Sequence, residues 1–197
     1  MRKKRSNSKR MPFSLIFLVM IIVFSLSAQL SVPDWNLLTN NWNKLVNEPN
    51  EQNLNAFFNS LPTQGRFLFD DDGVFIRSIL DNFIILENRV LDGDRLGVKV
   101  VFRLYNIADN ALSEKLSRVL GTLLGFNPQV FLEETSNNQN LIPGGVETIL
   151  GSYLLDHPDN PSAQELEKKY RINVLESITD KKLRPLVREY IRILKKL

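Results

Sequence analysis

The sequence predicts an all-α protein: about nine helices, arranged as a short α-solenoid or an irregular helical bundle, after an N-terminal export segment. Three observations carry this reading. Apolar residues recur at helical spacing in one segment after another. The links between segments are short and hold proline, glycine or a capping side chain. No segment reads as a strand once its polar spacing is weighed with its propensity. At 197 residues the chain is long enough for one domain of ordinary size, about 100–200 residues, and that domain is expected over residues 34–197.

The first helix is expected from Asp34, as cap, to Asn47, with Trp35, Leu38, Trp42 and Leu45 on one face. A second, Asn50 to Leu61, buries Leu54, Phe57, Phe58 and Leu61 before Pro62 stops it. Aspartates 70–72 and Gly73 then precede one long helix through Val74, Ile76, Ile79, Leu80, Phe83, Ile84 and Leu91, broken at Gly93-Asp94. The next segment, Leu96 to Ala108, holds Val98, Val100, Val101 and Phe102, a strand-like composition. Its polar residues Lys99, Arg103, Asn106 and Asn110 nevertheless fall at spacings of 4, 3 and 4, which is one helical stripe. The segment is therefore assigned as helix.

From Leu112 to Gly125, six residues (Leu112, Leu116, Val119, Leu120, Leu123 and Leu124) make one apolar face, with Ser113, Lys115, Ser117, Arg118 and Thr122 outside it. Asn127-Pro128 opens a short helix through Glu134. A polar loop, Thr135 to Asn140, and the turn Pro143-Gly144-Gly145 follow. Val146, Ile149, Leu150, Tyr153 and Leu154 mark the next helix, ending near His157-Pro158. Ser162 and Glu165 match a capping box for a helix reaching about Ile178. The last helix runs from Lys181 to the end, with Leu183, Leu186, Val187, Tyr190, Ile191 and Leu194 inward.

Asn110 to Leu124, with its polar start and its leucine-rich face ending in Leu120-Gly121, resembles the second helix of a HEAT or armadillo repeat. The resemblance covers about one repeat, and no fixed period runs through the chain. It implies a helical-repeat architecture, and such architectures present surfaces for binding.

The N-terminus carries a different signal. Six of the 25 Lys and Arg residues lie in the first ten positions, and no charged residue follows from Met11 to Pro33. Within that stretch the run Leu15–Phe24 is unbroken apolar, and Ser25, Ser27 and Ala28 follow. Basic, apolar and small residues in that order make residues 1–28 a signal peptide cut after Ser27 or Ala28, or else an uncleaved signal anchor. In both cases the flanking cations stay cytoplasmic and the rest is exported. None of the 20 asparagines opens an N-x-[ST] site, because Pro161 blocks the candidate at Asn160, and there is no cysteine. Export without glycosylation sites or disulfides points to a bacterial envelope: periplasmic or secreted, or tethered to the inner membrane by the anchor.

Composition and spacing exclude much chemistry. Without cysteine there are no thiolate metal sites and no cysteine nucleophile, and the single histidine, His157, excludes two-histidine metal centres. Aspartates 70–72 lack the flanking carboxylates of a calcium loop, since Leu68 and Ile79 stand at the ligand positions, so they read as a helix cap. Asp92-Gly93-Asp94 reads as a turn, and Gly144-Gly145 as another. Glu133-Glu134 could supply a general acid to a cell-wall hydrolase only if a second carboxyl stood at a set distance and one pKa were raised. Glu176-Ser177 lacks the companion segment of lytic transglycosylases. Gly151-Ser152 lacks the second glycine of a nucleophile elbow and sits in a helical pattern. No cofactor, metal or catalytic constellation is assigned, and the protein is read as non-enzymatic.

What remains is charge segregation. Asp34 to Glu167 carries a net charge of −10, whereas Lys168 to Leu197 carries +7. Within the latter, Lys181, Arg184, Arg188, Arg192 and Lys195 fall at spacings of 3, 4, 4 and 3, one continuous helical stripe. This is the candidate anion- or partner-binding face. Nucleic acid is not expected, because the exported part as a whole is acidic. The expected function is an interaction or scaffold module binding an envelope protein, with docking of the basic helix on an anionic membrane surface as the alternative.

Overall fold

The computed structural model describes residues 33–63 and 73–197. The expected export segment, 1–28, and the aspartates 70–72 lie outside the described residues. Pro33–Leu197 forms one compact unit. Among the described residues the protein is all-helical, with no strand: α1 (Trp35–Asn47), α2 (Glu51–Ser60), α3 (Val74–Asp81), α4 (Ile84–Leu91), α5 (Arg95–Leu104), α6 (Asn110–Phe126), α7 (Pro128–Asn138), a 3₁₀ turn (Gln139–Leu141), α8 (Val146–Leu150), α9 (Tyr153–Asp156), α10 (Pro161–Glu176) and α11 (Arg184–Leu194).

The first two helices start on side-chain caps. Asp34 accepts from the Leu37 N–H, and Asn50 from the Asn53 N–H, so each satisfies an amide that the first turn leaves unpaired. Leu38, Trp42 and Leu45 of α1 are buried against Leu54 and Phe57 of α2. Trp42 and Phe57 lie 5.1 Å apart, and Phe57 meets Phe75 of α3 at 6.5 Å, both tilted. Pro62 ends α2, and two polar residues of α5 and its following turn meet the carbonyls freed there. Arg103 donates to the Leu61 carbonyl and Asn106 to the Pro62 carbonyl. Helix α5 ends at Leu104, short of the expected Ala108, so Asn106 lies in the following turn and Asn110 opens α6. Arg103 and Asn106 of the expected stripe still form a docking edge, with Arg103 also stacked over Phe58 at 4.5 Å. The opposite face buries Val98, Val101, Phe102 and Leu104.

Helix α6 is the centre. It packs against α3, α4, α5, α7, α8 and α10, joining the early helices to the late ones. The expected apolar face of α6 is fully buried, and Ser117, expected outside it, is buried too. Its hydroxyl bonds the Ser113 carbonyl and the hydroxyl of Tyr105, so a polar residue sits inside with both hydrogen-bonding roles met.

Eleven α-helices are present among the described residues where nine were expected, because two predicted helices are broken. The segment from Val74 to Leu91 splits at Asn82-Phe83. The Asn82 side chain donates to the Ser78 carbonyl and competes with helix continuation, while Phe83 turns into the core. The segment from Val146 to Leu154 splits at Gly151-Ser152, and Arg171 of α10 donates to the carbonyls of Ile149 and Leu150 at the break. The predicted loop Thr135–Asn140 is instead the end of α7 and the 3₁₀ turn. Thr135 is buried and its hydroxyl bonds the Phe131 carbonyl one turn back, as Asn138 bonds that of Glu134. The Ser162–Glu165 capping box does not form. Asn160 caps α10 by accepting from the Ala163 N–H, with Pro161 in the first turn, and Glu165 pairs with Lys168 at 2.6 Å.

A candidate anion-binding face on the last helix

The chain enters the last helix through a turn in which the Asp180 carboxylate accepts from the Lys182 N–H. Pro185 lies in the first turn of α11, where a missing N–H costs nothing. Helix α11 consequently starts at Arg184 and not at Lys181, which belongs to the turn before it. On one side Leu183, Val187, Tyr190, Ile193 and Leu194 are buried against α7, α8 and α10. Tyr190 meets the Phe131 ring edge-on at 6.1 Å. Gly151 leaves space for Leu197, whose side chain would lie 3.2 Å from any Cβ placed there. Apolar contacts dominate this side of α11.

The other side is basic and exposed. Lys181, Arg184, Arg188, Arg192 and Lys195 are all exposed, as the stripe predicted, and so are Lys182 and Lys196. Every ion pair among the described residues joins other side chains, so these seven cations have no carboxylate partner there. Glu189 is the one acid on the exposed side of α11. Lys182 and Lys196 were not part of the predicted stripe, because each adjoins a stripe residue and adds no periodicity of its own.

Not all of the C-terminal positive charge is available. Lys168 is paired with Glu165, and Arg171 is 3% exposed. Arg171 Nε meets Glu167 at 3.0 Å, and its guanidinium also contacts the Ser152 hydroxyl and stacks over Tyr153. That arginine fastens α10 to the break between α8 and α9. The free charge is therefore concentrated at residues 181–196, together with Lys169.

The remaining candidates have structural duties. Arg95 reaches both carboxylates of the Glu133-Glu134 pair, Glu134 at 3.0 Å, and Gln129 also donates to Glu133. The Gln129 and Arg95 hydrogen bonds hold Glu133 below the usual carboxylate range, the reverse of what a general acid needs. Asp94 caps α5 through the N–H groups of Leu96 and Gly97 and pairs with Arg89 at 2.9 Å. Gly93 between the two aspartates has φ of +77°, a turn conformation that favours glycine. The His157 carbonyl accepts from Gln164 beside the start of α10. Ser152 is buried and accepts from Arg171. Among the described residues there is no cluster of His, Asp and Glu that could hold a metal ion.

Two clefts lie beside other elements. One, of about 450 Å³, lies beside Pro49, Arg89 and Asp94, and its arginine is committed to Asp94 and the Pro49 carbonyl. The other, of about 230 Å³, is lined by Tyr105, Asp109, Ser117 and Thr148 among others. Neither includes a residue of α11.

No protein-family model, curated protein or solved structure matches the chain. Among the described residues no helix is long and apolar enough to cross a membrane.

Proposed function

We propose that this chain is a non-enzymatic, exported helical domain of a bacterial envelope that docks on a negatively charged partner through the outward side of α11. The carrying observation is the set of seven exposed, unpaired cations at residues 181–196. Exposed like charges repel one another, so an unpaired row adds nothing to the fold and suits an external anion. Glu133 and Glu134, the carboxylates a glycan hydrolase would need, are held by Arg95, which also supports a binding role. Export rests on the basic, apolar and small-residue order of residues 1–28.

The absence of native cysteine makes a direct test possible. Glu189→Cys places one thiol on the basic side of α11, and Asn55→Cys places one on the exposed side of α2 as a reference. In a bacterial host with a permeabilised outer membrane, a thiol reagent that cannot cross the inner membrane should label both variants. Labelling at position 189 should be slower than in the purified protein and recover in high salt, while position 55 is unaffected. Labelling only after the inner membrane is broken ends the export reading. Equal rates at position 189 in cells and in purified protein remove α11 as the docking face.

A further inference from the structure

Taking α11 as the docking face, we infer that its partner is an anionic phospholipid surface, on which the helix lies flat through electrostatic attraction without inserting. The face is linear: Arg184 to Lys195 spans about 16 Å at about 1.5 Å per residue. Arg184, Arg188, Arg192 and Lys195 are all exposed along that line, Lys181 and Lys182 extend it at one end and Lys196 at the other. A planar array of negative headgroups can meet the Arg184, Arg188, Arg192 and Lys195 stripe as a unit.

The features a protein partner would use are missing from α11 itself. Tight protein interfaces centre on aromatic or aliphatic anchors seated in desolvated pockets. Here Tyr190 and the aliphatic residues of α11 face the core, Pro185 and Leu197 are the exposed apolar residues and stand at the two ends, and neither cleft described above reaches the helix. The same lack of an exposed tryptophan or phenylalanine argues against insertion, since interfacial helices bury an apolar side among the acyl chains, whereas α11 already spends its apolar side on α7, α8 and α10.

Charge placement gives the docked molecule an orientation. The exported chain up to Glu167 carries −10 and would be repelled by the surface that attracts residues 168–197, at +7. The acidic part would then point away from the lipid. Where residues 1–28 stay on as an uncleaved signal anchor, the apolar run Leu15–Phe24 would hold the domain beside that membrane and the basic helix would supply the second attachment.

The test uses the purified full chain with three probes at low ionic strength: vesicles of phosphatidylcholine, phosphatidylcholine vesicles containing phosphatidylglycerol, and soluble poly-glutamate. The native chain should bind the phosphatidylglycerol vesicles well above its baseline on neutral ones. Arg188→Gln/Arg192→Gln should weaken that increment about 25-fold, from about five-fold for each cation lost near a charged surface. Residues 2–10 are unchanged in the variant, so the difference reports α11 alone. Binding of poly-glutamate without the phosphatidylglycerol increment would overturn the lipid assignment while leaving the anion-docking function standing. Binding of neither probe, or an increment that the double variant retains in full, would overturn the assignment and the docking function together.

Discussion

Gly121 sits where α6 passes the break between α8 and α9, and a Cβ there would lie 2.2 Å from the Ser152 hydroxyl oxygen and 3.0 Å from an Arg171 nitrogen. Gly121→Ala should therefore destabilise the protein by about 1–3 kcal/mol, the usual cost of overpacking. Adding Ser152→Ala removes the closest contact, so the double variant should lose less than the sum of the singles in denaturant titrations. Arg171→Met should cost about 1–3 kcal/mol, because it strips the Leu150 carbonyl of its buried side-chain donor and leaves the Ile149 carbonyl only the Ser152 N–H. An unchanged midpoint for Arg171→Met would show that the guanidinium is not needed there. At this scale the sequence was legible where a residue obeyed its helix period and opaque where it did not. The six apolar residues of α6 were all placed inward correctly. Ser117 was placed outward by type, and its burial depends on Tyr105, a hydroxyl 12 positions away that no local pattern reveals.

At the scale of elements, α5 is the sharpest case. β-branched residues and a helical polar stripe gave opposite assignments for this segment, and the helix won because Arg103 and Asn106 both have carbonyls to meet at the end of α2. Backbone chemical shifts should be helical from Arg95 to Leu104, with slow amide exchange at Val98, Val101 and Phe102. Strand-type shifts there would contradict the fold. The breaks at Asn82-Phe83 and Gly151-Ser152 were not legible, since neither interrupts the apolar spacing. One depends on a local side-chain bond from Asn82, the other on an arginine from a helix later in the chain. The start of α11 could have been placed better from Pro185 alone, a residue suited to the first turn and unsuited to the interior of a helix begun at Lys181.

Over the whole molecule, three buried tyrosines link stability to alkaline pH. Burial pushes the Tyr190 hydroxyl up from its ordinary 10.0 to about 12, and burial raises Tyr105 and Tyr153 as well. The folded state thus holds these protons more tightly than the unfolded chain. Their contribution is complete below about pH 10 and is lost as pH rises toward 12, where the unfolded tyrosines have ionised and the folded ones have not. Melting temperatures should fall between pH 9 and 11.5, with tyrosinate absorbance appearing alongside loss of helix. Tyrosinate formation complete by pH 11 with the helical signal intact would refute this burial. The charge pattern that defines the candidate face was legible at the same scale, because a helical stripe of cations needs only spacing to be seen. Which cations were free was not legible, since Lys168 and Arg171 counted equally with Arg188 until their partners Glu165 and Glu167 were seen beside them.

The central claim is that the outward side of α11 docks the protein on an anionic surface, and it is tested most directly by adding the purified chain back to isolated envelope membranes across a salt series. The native chain should bind at low salt and be released steeply as the screening length shortens from about 8 Å at physiological ionic strength to about 3 Å at 1 M. Arg188→Glu/Arg192→Glu should bind far more weakly than the native chain at low salt while keeping the native helical spectrum, because the core contacts of Val187, Tyr190 and Leu194 are untouched. A charge-reversed protein that binds these membranes as well as the native chain at low salt would contradict the claim and leave the stripe a solvated surface.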